Sequence, residues 1–238
     1  MEKIKFQQTP EDEGEEKIEA IEDLRRPVER IMSQIIESVE GGQYSVIIGE
    51  DCSGRIPTLI FSRIINKIYD GRNINHPSVY FIAGSKGFSS NPNDFEPKVK
   101  AISDFVEKIK VKMKKGSKIL IVTDTISTGS SLAPLIDALK RFDVDYEIAT
   151  ITLRELDEDD KRLIDGKIFN GGRVFTPQIY KKNNLSGVYK VPTDLHSNVL
   201  MSIESSRDSV NRARQDVVTL ADEISKKFVP PKKQKNNQ

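Results

Sequence analysis

The residues best suited to chemistry lie in one run, Lys118-Ile-Leu-Ile-Val-Thr-Asp-Thr-Ile-Ser-Thr-Gly-Ser-Ser131. It reads as a buried aliphatic strand, then a carboxylate, then a turn of small hydroxyl residues around a glycine that opens a helix. Backbone N–H groups converge at such a turn, and the helix N-terminus adds partial positive charge. Ser127, Thr128, Ser130 and Ser131 supply hydroxyl donors, and Gly129 lets the chain approach an oxygen closely. Together they suit a monophosphate. Asp124 can accept hydrogen bonds from sugar hydroxyls or take part in binding Mg²⁺. The competing reading is a plain helix cap, with Asp124 an ordinary turn residue. A cap needs one hydroxyl, and this segment has four around its glycine.

Such a segment works only if a sheet edge presents it, and the flanking pattern predicts that sheet. Strands are expected at 44–49, 78–83, 118–123 and 146–153, alternating with helices at 56–69, 99–115 and 131–142. Strand–helix alternation argues for a parallel sheet with helices on both faces, whose ligands bind at the carboxyl ends of the strands. Pro57 falls in the first turn of its helix, where a missing N–H costs nothing. The face of helix 99–115 is Ile102, Phe105, Val106, Ile109 and Met113. Before the first strand, Ile21, Leu24, Val28, Ile31 and Ile35 predict a helix over 15–39, broken near Arg26 by Pro27. After Arg154 the alternation stops. An acidic helix over 155–165 and short strand pieces within 167–191 are expected, then a long helix over 197–228. In that helix Ile203, Val210, Val217 and Ile224 recur every seven residues as a narrow seam, which suits pairing with a partner or a second copy. Residues 1–14 and 229–238 read as disordered.

The segment 118–131 resembles the binding motif for 5-phosphoribosyl 1-pyrophosphate (PRPP) of type I phosphoribosyltransferases. That motif has aliphatic strand residues, two acidic residues, two mostly apolar ones, then a Thr-Gly-x-Ser/Thr turn. The resemblance implies a type I phosphoribosyltransferase-like open parallel sheet over 43–196, with 155–196 as a variable hood and helical extensions at 15–42 and 197–228. It implies that Asp124 contacts the ribose hydroxyls and Mg²⁺, and that Asp124, Thr125, Ser127, Thr128, Gly129, Ser130 and Ser131 hold PRPP through its 5-phosphate. It further implies that Ser53, Gly54 and Arg55, in Gly49-Glu-Asp-Cys-Ser-Gly-Arg55, form the pyrophosphate loop. Arg55 could instead pair with Asp51. The long polar loop 84–97 takes the place of the family's lid, with Lys86 its cation. On this reading Asp124, Arg55 and Lys86 carry catalysis, and Phe169, Phe175, Tyr180 and Tyr189 either stack on a base or form hood core. The chain departs from the motif at Thr123, where the family has an acid, and at Ser127, where purine-type members carry a catalytic Asp. Thr123 leaves open a second reading, a module that senses PRPP or a nucleoside monophosphate without transferring it. Thr123→Asp would then be a restoring substitution.

Composition narrows the rest. Lys and Arg number 37 against 36 Asp and Glu, so no global charge draws the chain to nucleic acid or an anionic membrane. A single cysteine, Cys52, excludes a disulfide within the chain. No apolar run reaches the roughly 18 residues of a membrane span. The expected setting is the cytoplasm. His76 and His196 stand apart from other metal-ligating residues and read as surface histidines.

Overall fold

Uninterrupted aliphatic runs need burial on both faces, and a central parallel sheet supplies it. A computed structural model describes residues 18–51, 54–83, 95–155, 164, 166–173 and 207–229. Its elements, in chain order, are α1 (Glu19–Glu22), α2 (Arg25–Glu40), β1 (Tyr44–Asp51), α3 (Arg55–Arg72), β2 (Ser78–Ala83), α4 (Phe95–Lys110), β3 (Lys118–Ile126), α5 (Ala133–Arg141), β4 (Tyr146–Leu153), β5 (Lys167–Asn170) and α6 (Arg207–Ser225). The strands form one sheet in the order β2-β1-β3-β4-β5, and every pairing is parallel.

Successive residues of a strand point to opposite faces, so each strand feeds two cores. On one face Ile47, Leu120, Val122, Ala149 and Ile151 pack with α1, α2, α3 and α6. On the other, Val46, Ile48, Ile119, Ile121 and Ile148 pack with α4 and α5. At the amino ends of the strands, buried Glu147 ties three of them together. It accepts from the Tyr44 hydroxyl and, at 3.0 Å, from Lys118 Nζ. Burial, then the neighbouring carboxylate, pushes the Tyr44 phenol far up.

Several boundaries differ from the sequence reading. The N-terminal helix breaks at Asp23 and Leu24, ahead of Arg26. Pro27 then falls in the first turn of α2, where its missing N–H breaks no helical bond. β1 runs on through Glu50 and Asp51, and β3 through Ile126, because both continue to find parallel partners past the aliphatic run. Arg55 is therefore the first residue of α3. Helix α4 ends at Lys110 and α5 spans only Ala133–Arg141. The piece Lys167–Asn170 belongs to the main sheet as its edge strand.

The heptad seam is also corrected. Ala213, Val217, Leu220 and Ile224 are buried in this chain's own core, against α3 and its neighbours, and Val210 is buried as well, so they offer no open seam to a partner. Ile203 lies outside the described residues. Ion pairs flank this contact. Asp222 of α6 takes Arg63 Nη2 at 3.0 Å and Lys67 Nζ at 2.7 Å from α3.

These partners, Arg63 foremost, hold the Asp222 carboxyl at about 2, below its ordinary 3.8. The unfolded chain therefore takes up this proton first. The pair's contribution is complete above the unfolded value and drains as pH falls through the folded one. Both partners are more than a third exposed at the side chain, which caps the effect at about 1 kcal/mol. Asp222→Asn should lower the melting temperature by about 2–4 °C at neutral pH and by a clearly smaller amount at about pH 2.5, where most of the contribution has drained. Equal shifts at both pH values would show that the loss is packing rather than charge.

Candidate functional site

The strand order fixes where a ligand can sit. The chain leaves β1 for β2 on one side and returns through β3 on the other. The β1–β2 connection runs one way across the sheet and the β2–β3 and β3–β4 connections run the other, so α3 lies on one face and α4 and α5 on the opposite one. A crevice opens between the carboxyl ends of β1 and β3, the switch point at which open α/β sheets bind ligands. Residues 50, 51, 54 and 55 on one side and 124–131 on the other are the two lips of that crevice.

On the β3 lip, Asp124 and Thr125 are the last but two and last but one residues of the strand, both half-buried. Gly129 is buried and turns the chain with φ of +75°. A Cβ there would stand 2.2 Å from Ile164 Cδ1, so the turn is pinned from behind. The Gly129 carbonyl accepts from the N–H groups of Leu132 and Ala133, which starts α5. The helix has no side-chain cap, and Pro134 brings no N–H to its first turn. No hydroxyl caps α5 at Leu132, and Thr128 Oγ1 accepts instead from the Ser130 N–H at 3.4 Å, within the turn. Thr128 Oγ1 and Ser130 Oγ lie 3.0 Å apart and exposed, while Ser127 and Ser131 are half-buried.

On the β1 lip, the Gly54 N–H donates to the Glu50 carbonyl at 2.9 Å and closes a turn into α3. A Cβ on Gly54 would meet the backbone oxygens of Glu50 and Val122, each at 2.7 Å. This turn lies directly on β3, so the two lips are in backbone contact. Arg55 extends from the same turn, its guanidinium carbon 4.5 Å from the centroid of the Phe81 ring. That stacking holds a cation at the rim of the crevice. Ser53 and Lys86 lie outside the described residues, as do Cys52, Phe175, Tyr180, Tyr189 and His196.

Sequence reasoning missed Glu50. With β1 ended at Gly49, Glu50 reads as a loop residue. In the structure it continues the strand, and its carboxylate accepts from Thr123 Oγ1 at 2.7 Å. The signal was alternation: Ile48 and Glu50 share a face once the strand runs to Asp51. The crevice therefore has carboxylates from both strands, Asp124 on β3 and Glu50 on β1. Glu50 follows Ile48 and so stands on the face toward α4 and α5.

Other candidates settle into ordinary roles. Phe169 is core, 4% exposed and packed with α2 and the sheet, so it is not a base-stacking ring. His76 is exposed and 2.7 Å from Asp70. Among the described residues no group of three or more metal-ligating side chains converges, and no helix is long and apolar enough to cross a membrane.

A search of curated proteins finds no match. A family model described as the phosphoribosyl transferase domain matches residues 14–172, a span that takes in α1, α2, the whole sheet and both lips of the crevice. The chain belongs to the phosphoribosyl transferase domain family.

Proposed function

We propose that the chain binds PRPP with Mg²⁺ in the crevice between β1 and β3 and transfers its phosphoribosyl group to a base, releasing pyrophosphate. The observation that carries this reading is the uncapped hydroxyl-and-glycine turn at 127–131, set on the switch point of the sheet. The 5-phosphate lies against Ser127, Thr128, Gly129, Ser130 and Ser131. The ribose hydroxyls lie toward Asp124, and the diphosphate lies along residues 53–55.

Transfer breaks the bond from ribose C1 to the pyrophosphate oxygen and forms one from C1 to a ring nitrogen of the base. Positive charge grows on the ribose as the bond loosens, and the Asp124 carboxylate stabilises it. Arg55, steadied by Phe81, draws off negative charge from the departing pyrophosphate, aided by Lys86 of the 84–97 loop. The donor set suits Mg²⁺. Asp124 is a half-buried carboxylate beside hydroxyls, and Mg²⁺ takes one or two carboxylates and completes its shell with phosphate oxygens and water. Mg²⁺, when bound, neutralises charge on the diphosphate.

The alternative, a sensor without transfer, drew its main support from Thr123. Glu50 removes much of that support, because a carboxylate stands beside Thr123 after all. Calorimetric titration of PRPP with Mg²⁺ tests the binding. Asp124→Asn should weaken it about tenfold or more, the cost of a charged hydrogen bond. A pyrophosphate-release assay across a panel of bases then separates transferase from sensor. No binding by the unmodified protein would sink both readings.

A further inference from the structure

Three adjacent strands change character at one level of the sheet. On the face toward α4 and α5, Ile48, Ile121 and Ile148 are buried aliphatic residues. One step further along the same face stand Glu50, Thr123 and Thr150, still buried at 9%, 0% and 0% exposure but polar. They are lateral neighbours, since Gly49 pairs with Val122 and Thr123 with Thr150. A buried carboxylate is costly unless hydrogen bonds replace its water. Among the described residues the Glu50 carboxylate accepts one, from Thr123, although it has room for about four. A second orphan lies two residues further along β4. The Thr150 hydroxyl donates to the Thr152 carbonyl, but Thr152 Oγ1, on a residue 1% exposed, has no partner among the described residues. Thr152 is the register partner of Thr125, at the crevice level. A purely structural row would satisfy these groups or replace them with apolar ones.

We propose that Glu50 is a substrate-binding carboxylate of the sugar site, held in place by Thr123, and that it accepts hydrogen bonds from the ribose hydroxyls of a ribose 5-phosphate group. This rests on the reading that the crevice holds such a group. The acid absent from position 123 of β3 is supplied from position 50 of β1, one hydrogen bond away. Asp124 of β3 and Glu50 of β1 then both serve the sugar site. Thr123 acts as a positioning residue, because its hydroxyl fixes the carboxylate and cannot itself replace the charge.

Titrations of ribose 5-phosphate and of inorganic phosphate separate the sugar from the phosphate. In the unmodified protein ribose 5-phosphate should bind more tightly. Glu50→Gln keeps the shape and can still accept from Thr123, so the fold should hold, as checked by its melting temperature. Its ratio of ribose 5-phosphate to phosphate affinity should fall about tenfold while phosphate alone binds at least as well. Adding Thr123→Asp to Glu50→Gln returns the charge to β3 and should restore most of the ratio. An unchanged ratio in Glu50→Gln overturns the assignment of Glu50 and leaves the crevice reading intact. A folded double variant whose ratio stays low overturns it as well. Failure of the unmodified protein to bind either ligand overturns the crevice reading itself, and Glu50 with it.

Discussion

Gly129→Ala should reduce affinity for inorganic phosphate by about a hundredfold and lower stability by about 3 kcal/mol. Two separate costs add. The φ of +75° is open to glycine and strained for alanine, at roughly 1–2 kcal/mol. The new methyl would also stand 2.2 Å from Ile164 Cδ1 and 2.5 Å from its Cγ1, and Ile164 is itself buried. Something must move, either the Ile164 side chain within its buried surroundings or the turn toward solvent. The strained φ, and any shift of the turn, change the spacing of the Thr128 and Ser130 hydroxyls, now 3.0 Å apart. Ile164→Ala in the same background removes the collision but not the strained φ. Stability should therefore recover in part while phosphate affinity stays low. Thermal melts and phosphate titrations on the two variants separate the costs. A Gly129→Ala protein that binds phosphate as the unmodified one does would show that the turn is not the phosphate site.

The fold was largely legible because its signals are local. Aliphatic runs such as 118–122 cannot be satisfied on the surface, and their alternation with amphipathic helices leaves few arrangements beyond a parallel sheet. Ends were less legible. β1 and β3 outrun their aliphatic residues because pairing partners, which are distant in sequence, continue past them. The same non-locality hid Glu50. Its role depends on β1 lying beside β3 in a particular register, and nothing between residues 44 and 55 states that register. The turn at 127–131 was legible because its chemistry is contiguous. The α6 seam was misread for a related reason. A heptad pattern says that one stripe is covered, but not by what, and here α3 of the same chain covers it.

Register also reverses the expectation for Thr123. Read in isolation, the departure from two acidic residues makes Thr123→Asp a repair. In the structure Thr123 is fully buried and already 2.7 Å from the Glu50 carboxylate, so an aspartate there brings two carboxylates into contact. Like charges about 4 Å apart repel by about 4 kcal/mol at an effective dielectric near 20. The pair would evade part of this by keeping a proton, as close carboxylates do. Thr123→Asp should therefore cost about 3 kcal/mol at neutral pH and should weaken PRPP binding rather than create turnover. The sign with pH follows. The retained proton means a folded pKa above the unfolded value near 4, so the folded state holds more protons between the two. The added instability should be small at about pH 4 and grow as pH rises through the raised value, the reverse of the Asp222 case. Urea unfolding at the two pH values measures it, and Glu50→Gln in the same background should abolish most of the pH dependence. If Thr123→Asp alone matched the unmodified protein in stability at neutral pH and gained transferase activity, residue 123 would be a lapsed catalytic position after all. The Glu50 carboxylate would then be no substitute for it.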